Sequence, residues 1–522
     1  MKKWTMAATV LLMCMVTVLS GCSGTKNGGE NINPAATKSP TSNADNQDDK
    51  GNQERQGNQD KDKPKDPVKF SVLIPGSGGN PPQEEDPILQ QLNKDLNMDM
   101  DFNISTTEYN QVLTAKIAGG TPPDVFGVTK DTLKTFVEQD LLLDLEKYLD
   151  KLPNIKAAYT ETDLNKGKFG GKLVALAKRP SIPMESYWIR ADWLKNLKLE
   201  PPKTIEDFKK VLIAFTNDDP DGNKKKDTYG LTGADIPAFY GIFSAFGVAP
   251  PGHWMIQDNK VVYSTTAPVT KDALAFIADL VKAGAVDPEI VTNQNPLDKA
   301  FKGQAGVIPI NWSGISTAAA VKTYTDINPN AEWVQLDALT GPGGKYYSIW
   351  DVGSNPSMIV LSKALEKEPE KLDKVLEYLN YITDPDKGQM LVNYGIEGKH
   401  YEMADGKVKV LPAISEMGYA WQVQLTGRNE MEYLKVKFAD QEKEIDFALN
   451  LPRIKVYSSF VSLPDQVIAD ERYEYEELIK FMYSRRPLAE FDQYVEKLNS
   501  TFYLPERTQK AEAELKALGY II

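Results

Sequence analysis

Cysteine and histidine are almost missing from this 522-residue chain, with two of each: Cys14, Cys22, His253 and His400. Cys14 lies inside an apolar leader, so no thiol pair remains for a structural disulfide and no spare thiol for nucleophilic work. Neither histidine has a cysteine or carboxylate at ligand spacing, which argues against a transition-metal site. Positive charge is short as well. Against 73 Asp and Glu stand 60 Lys and Arg, a net −13, and a nucleic-acid partner would need a basic face to meet its phosphates. The same balance disfavours a strongly anionic ligand unless a local basic pocket defies the global sign. Past the leader, no stretch is long and apolar enough to span a bilayer. Gly-x-Ser-x-Gly and His-Glu-x-x-His are absent too, although 73 acidic residues leave a paired-carboxylate glycoside hydrolase or lyase open.

What is present begins with Lys2 and Lys3 before the apolar run from Met6 to Leu19, too short for a membrane span and of signal-peptide length. The run ends in Leu19-Ser20-Gly21-Cys22. Small residues before a cysteine resemble the lipobox of bacterial lipoproteins; the alternative is an ordinary leader with a chance cysteine. Acylation of Cys22 would hold the protein at the extracellular face of the cell membrane, at about 0.8 kcal/mol per buried methylene. From Ser23 to Pro67 the chain is polar with scarcely an aliphatic residue. It cannot offset its ordering entropy and reads as a disordered tether. The remaining ~450 residues have room for two or three domains.

Val68 to Ile74 alternates and then runs apolar, the pattern of a buried first strand. The Gly- and Pro-rich loop 75–82 is either a solvated turn or a loop at the ligand edge of an open α/β sheet. It has no Lys-Ser/Thr to close a phosphate loop. Asp86-Pro87 starts a helix through Ile88, Leu89, Leu92 and Leu96. A strand near Asp101–Ser105, a helix through Tyr109 to Ile117 and a strand after Asp124 complete a β-α-β alternation that implies a doubly wound lobe. The stretch 171–197 then passes an apolar strand, Pro180, Pro183 and the pair Tyr187-Trp188 before a helix start at Arg190. Two prolines exclude the interior of a regular element, so this reads as a crossing between lobes lined by exposed aromatics. Ser348 to Gly353 reads as a second crossing.

Lys116-Ile-Ala-Gly-Gly-Thr-Pro-Pro-Asp-Val125, Asp140-Leu-Leu-Leu-Asp-Leu145, Gly171-Lys-Leu-Val-Ala-Leu176 and Ile189-Arg-Ala-Asp-Trp-Leu194 resemble successive signatures of family 1 extracellular solute-binding proteins, the substrate-capturing lipoproteins of ABC sugar importers. The resemblance is collinear from Val68 nearly to the end and is strongest to the large oligosaccharide binders of Gram-positive bacteria, similar to alginate-binding proteins. It implies an α/β, two-lobed periplasmic-binding-protein-like fold (type II), with doubly wound lobes joined by hinge crossovers. The expected division is a signal peptide at 1–21, a tether at 22–67, an N-terminal lobe at 68–186 and 351–411, and a C-terminal lobe at 187–350 and 412–522.

Asp219, Asp221, Asn223, Lys225 and Asp227 place oxygens at every second position, Lys225 through its carbonyl, as in the first nine positions of an EF-hand loop. The fit is incomplete: Lys224 stands where Gly is usual, Gly230 where a bidentate Glu is usual, and Thr228 where related binders carry an acid. A structural Ca2+ site and a solvated hydrophilic turn are the two readings; no other cofactor is expected. Saccharide recognition takes aromatic planes and planar polar groups. The candidates are Tyr187, Trp188 and Arg190 at the first crossing, Trp350 at the second, Trp254 after Pro-Pro-Gly-His, Asp124 and, by the resemblance, Trp312 as a sugar floor and Glu397 in Gly-Ile-Glu-Gly-Lys-His-Tyr401. Core packing is the competing reading for the tryptophans, and a turn satisfying backbone amides for Glu397. The function implied is capture of an oligosaccharide by hinge closure and delivery to ABC permease subunits by a monomeric, lipid-anchored protein. A surface-anchored carbohydrate-active enzyme and an adhesin or sensor partner are the rivals.

Overall fold

The computed structural model describes residues 66–522 apart from 77–82, 107, 180–182, 294, 355–356 and 462–467. The leader, Cys22, the polar stretch through Lys65, most of the first loop and the centre of the first crossing lie outside the described residues. Val68–Pro75 becomes part of a five-stranded sheet in the order Met98–Ser105, Val68–Pro75, Val125–Val128, Met358–Leu361, Leu176–Ala177. The first three run parallel, with Val72 beside both Phe102 and Val125. Met358–Leu361 is antiparallel to both neighbours, which sets Leu176–Ala177 parallel to the first three. The carboxyl ends at Pro75, Ser105, Val128 and Ala177 therefore share one edge. Between the first two strands, the Asp86 carboxylate accepts from the N–H groups of Ile88 and Leu89 and Pro87 sits where an N–H would be orphaned, so the helix Pro87–Leu96 starts there. Its Ile88, Leu89, Leu92 and Leu96 face the core of Phe70, Val72, Met100 and Leu376.

The second sheet has the order Trp333–Leu336, Glu185–Arg190, Ala305–Asn311, Tyr229–Leu231. Glu185–Arg190 is antiparallel to both neighbours. As an inner strand covered on both faces, it sends alternate side chains to different cores. Tyr187 and Ile189 join Phe208, Phe215, Phe243 and Ile277, while Trp188 joins Ile308, Trp312 and Trp333. Thr204 caps the helix Ile205–Asn217 by accepting from Asp207 N–H at 3.1 Å. Three C-terminal helices, Ile468–Met482, Phe491–Thr501 and Leu504–Ala517, close the large core with Phe481, Tyr494 and Leu515.

Residues 178–184 carry the chain from the first sheet to the second, and 352–357 carry it back from Ser348–Asp351, which pairs with Arg453–Val456. A third passage was not read from the sequence. Met417, Tyr419, Val423 and Leu425 pack into the first core, whereas Tyr433 and Leu434 pack with Trp188. The expected second-lobe segment from 412 thus begins inside the first lobe. It leaves at 426–429, where Thr426 O accepts from Arg179 N–H at 3.5 Å and Arg428 N–H donates to Arg179 O at 3.1 Å. Glu185 and Ser186, expected in the first lobe, are ladder partners of Asn311 and Ile310 in the second sheet. Among the described residues, no helix is long and apolar enough to cross a membrane.

Candidate functional site

Open α/β sheets bind ligands outside the carboxyl ends of their strands. Over that edge of the first sheet lies the short turn Ala420–Gln422. A Cβ placed on Gly76, just past the first strand, would fall 1.9 Å from Gln422 Oε1, so the turn is pressed against that strand end. At another strand end on the same edge, Lys178 follows Ala177. Its ammonium donates to the Trp421 carbonyl and lies 5.1 Å from the indole centroid. Trp421 itself is 43% exposed. Burial first, and the neighbouring Arg428 second, push the Lys178 amine down to about 7, with Glu430 acting the other way. Arg428 is held in place by Glu430, at 2.7 Å from Nε and 3.0 Å from Nη2, and its guanidinium lies 3.5 Å from the Tyr433 ring centre.

Across the crossings, the second lobe presents Trp350 near the end of Ser348–Asp351, 39% exposed. Asp351 accepts from Ser459 N–H at 3.0 Å, Ser459 Oγ at 2.8 Å and Gly353 N–H at 3.0 Å. Glu185 opens the second sheet beside Arg453, whose Nη2 donates to the Glu185 carbonyl at 2.9 Å; burial raises the Glu185 carboxyl, with Arg453 opposing. A chain the length of 178–184 spans at most ~25 Å when fully extended. The edge carrying Lys178 and the strand starting at Glu185 are therefore neighbours, and one exposed indole stands on each side of the passages.

Most of the aromatics expected at the site are core residues. Tyr187 is 1% exposed, lies 5.4 Å from Phe208 in a stacked pair and donates to Ala238 O at 2.8 Å. Trp188 and Trp312 are each 3% exposed, Trp312 with its ring 5.1 Å from Phe438. Trp254 opens the strand Trp254–Gln257, not a loop, and packs 4.6 Å from Tyr263. Arg190 is buried between Trp193 and Trp333 at 4.6 and 5.6 Å, paired with Asp192 at 2.8 and 2.7 Å. Asp124 precedes its strand and so stands at the amino edge of the sheet, where it accepts from Ser71 N–H at 2.8 Å and lies 3.6 Å from Lys371. Glu397 is exposed on the flank of the first lobe, lining an open cavity of about 530 Å³ with Gln91, Asp95, Tyr381 and Met403. Of the eight, Trp350 alone combines exposure with a place at a crossing. Trp421, Lys178 and Arg428 were not candidates; their signals were the aromatic pair in Tyr419-Ala-Trp421 and a lysine directly after an apolar strand.

The acidic loop folds on itself. Asp219 accepts from Lys224 N–H at 3.2 and 3.0 Å, and Lys225 N–H donates to Asn223 Oδ1 at 2.7 Å. The Asn223 amide nitrogen donates to Asp221 at 2.7 Å and to Asp227 at 3.3 Å. Burial, then Asp219 and Asp227, raise the Asp221 carboxyl, with the Asn223 N–H opposing. Lys224, at the loop's sixth position, has φ +63°, the left-handed turn for which EF-hands keep a glycine. The backbone makes the left-handed turn at that position despite the substitution. Among the described residues, however, no three His, Cys, Asp or Glu side chains converge to hold a metal ion.

A family model described as bacterial extracellular solute-binding protein matches residues 77–389. Lipoprotein LipO of Bacillus subtilis is 28% identical over 358 residues, 66% of this chain and 69% of that one. The polygalacturonan/rhamnogalacturonan-binding protein YtcQ of the same organism is 23% identical over 413 residues, 78% and 75% of the two chains. Among solved structures, the Streptococcus pneumoniae substrate-binding protein FusA in complex with kestose superposes with TM-score 0.63 at 20% identity, over 86% of this chain and 99% of that one. A second FusA structure, an EF-hand mutant in complex with fructo-nystose, matches with the same values. At this identity the likeness establishes the fold, the two-lobed type II architecture.

Proposed function

Because the chain belongs to the bacterial extracellular solute-binding proteins, we propose that it is the substrate-binding lipoprotein of an ABC importer, capturing an oligosaccharide between its lobes and delivering it to the permease. The observation that carries this reading is the pair of exposed indoles, Trp421 and Trp350, set on opposite sides of the passages that join two α/β lobes. An indole offers a flat apolar face to the C–H side of a sugar ring. Closure of the lobes brings both faces onto one ligand, and the ligand's extra contacts with the closed form supply the population shift. Cys22 is the proposed lipid-attachment point, which places the protein as a monomer on the outer face of the cell membrane. The relatives named for saccharides and for a lipoprotein support this assignment. Calcium is the proposed structural ion of the 219–227 loop: it would displace the Asn223 amide from between Asp221 and Asp227 and take the Lys225 carbonyl as a further ligand. The similarity to FusA, of which an EF-hand mutant is among the solved structures, supports that.

The chemistry asked of the cleft is binding without turnover. Calorimetric titration against a panel of oligosaccharides, followed by product analysis after long incubation, tests it. Binding with recovery of intact sugar is expected; cleavage would make the protein an enzyme, and silence across the panel would favour an adhesive or sensory partner.

A further inference from the structure

We propose that Tyr520 latches the second lobe to the first, and that its bond to Thr162 sets how often the second crossing opens. The helix Leu504–Ala517 ends in a Schellman turn. Gly519, with φ +78°, donates to Lys516 O at 3.0 Å, and the Tyr520 N–H donates to Leu515 O at 2.9 Å. Beyond it, Ile521 is buried in the large core and the Ile522 N–H donates to Asn259 Oδ1 at 3.1 Å. Backbone on both sides is therefore tied to the second lobe, and the direction in which Tyr520 leaves that lobe is set. Its ring lies 5.0 Å from Tyr457 and 5.1 Å from Phe460, and its hydroxyl donates to Thr162 Oγ1 at 3.3 Å. Thr162 belongs to the first lobe: it sits in the helix Glu161–Lys166, started by the capping box of Thr160 and Asp163, whose Leu164 packs on the first core.

The same aromatic group backs the second crossing. A Cβ on Gly353 would fall 2.8 Å from Phe460 Cδ2, so Phe460 lies against the backbone there. Asp351 holds that backbone from the other side, accepting from Gly353 N–H through its carboxylate and from Ser354 N–H through its carbonyl, each at 3.0 Å. Thr162, Tyr520, Phe460 and Gly353 thus form a row of contacts from the first lobe to the crossing. A rotation of one lobe against the other about this crossing carries Thr162 away from Tyr520. A single hydroxyl pair, half-buried at both ends, exchanges for water at small net cost, so it biases the arrangement without locking it. This goes beyond the saccharide reading and stands without it, since it needs only the two lobes and their crossings.

The test is amide hydrogen exchange, followed by mass spectrometry on the full chain with no sugar added. Tyr520→Phe keeps the ring against Tyr457 and Phe460 and removes the hydroxyl; Thr162→Val removes the acceptor from the other lobe. Each is expected to speed exchange in peptides covering Val352 to Ser354 by about 2- to 10-fold, the range of one net hydrogen bond. The double variant should exchange no faster than the quicker single one, because both delete the same bond. Peptides from the helix Ile205–Asn217, inside the second lobe, should keep the parent's rate. Unchanged exchange at 352–354 in either single variant overturns the latch. Equal acceleration in the Ile205–Asn217 helix overturns it as well, since the substitution then loosens the lobe itself, and so does a double variant in which the two effects multiply, since the two side chains then act apart.

Discussion

Arg190 separates a structural reading of the first crossing from a ligand-binding one. Its side chain is 1% exposed and bonds Asp192 through Nε and Nη2 at 2.8 and 2.7 Å, with Trp193 and Trp333 on either side at 4.6 and 5.6 Å. Asp192→Ala strands the guanidinium in the core, and removing one partner of a buried ion pair costs about 3–5 kcal/mol. Arg190→Met keeps an unbranched apolar stem between the indoles and leaves Asp192, 15% exposed and still accepting from Glu332 N–H at 3.2 Å. The expected loss is smaller, about 1–3 kcal/mol for charge-assisted hydrogen bonds. The double variant should fall close to Arg190→Met, because the stranded charge is then gone. Urea midpoints followed by tryptophan fluorescence report the right region, since Trp188, Trp193, Trp254, Trp312 and Trp333 pack in the cores around the second sheet. Saccharide affinity of the folded Arg190→Met protein should stay within about threefold of the parent. An unchanged urea midpoint together with a tenfold loss of affinity would refute this reasoning and return Arg190 to the cleft.

Calcium at 100 times its dissociation constant should stabilise the protein by about 2.7 kcal/mol, seen as a higher melting temperature than in EDTA, and Asp221→Asn should abolish the difference; identical melting in both buffers would leave the loop a hydrogen-bonded turn. His400 is held below its ordinary range by burial first and Lys399 second, with Glu416 opposing, and its Nδ1 accepts from Ile396 N–H at 2.9 Å. The unfolded chain then binds that proton more tightly than the folded one, so this contribution is complete above pH ~6.5 and is lost as the pH falls below it towards the folded pKa. Urea midpoints of His400→Gln measured against the parent from pH 7 to 5 should lack this part of the slope. An ideal Cβ on Gly306 falls 2.1 Å from Phe215 Cδ2 and 2.9 Å from Trp193 Cε3, so Gly306→Ala should destabilise by about 1–3 kcal/mol through overpacking, and an unchanged denaturation midpoint would show that the two rings yield freely.

The elements of both lobes were legible where a periodic apolar face met a local signal: Asp86-Pro87 before Ile88 and Thr204 before Phe208 are caps as read. The site residues were harder for a physical reason. Exposure of an aromatic depends on whether a second layer covers it, and neither Tyr187-Trp188 nor Trp312 carries local information about the strands and helices that arrive from 229, 333 and 438. The adjacent aromatics Tyr187 and Trp188 in Glu185–Arg190 looked like a lining because a strand buried on both faces has no solvated side to set against them. Asp124 failed on direction: it lies before its strand, and only the parallel register shows that this is the far edge from Lys178. Trp421 went unselected because no local signal shows that the chain, back in the first lobe from Met358, stays there through Leu425.

The late exit from the first lobe at 426–429 alters what the crossings can do. A glycine such as Gly427, with φ +78°, in a segment between lobes invites a reading as a hinge. Here a Cβ at Gly427 would fall 1.9 Å from the Arg179 carbonyl oxygen, and the residues on either side of it bond Arg179 through both of its backbone groups. The glycine's freedom is spent on close approach of two chains, not on rotation. Two of the three passages are therefore laced into a short parallel pair, and on the proposed closure the changes in φ and ψ fall outside it. Lys178 sits on the first-lobe side of that lacing, one residue from Arg179. On the proposed closure, Trp421, whose carbonyl accepts from Lys178, accordingly stays with the first lobe and Trp350 moves with the second.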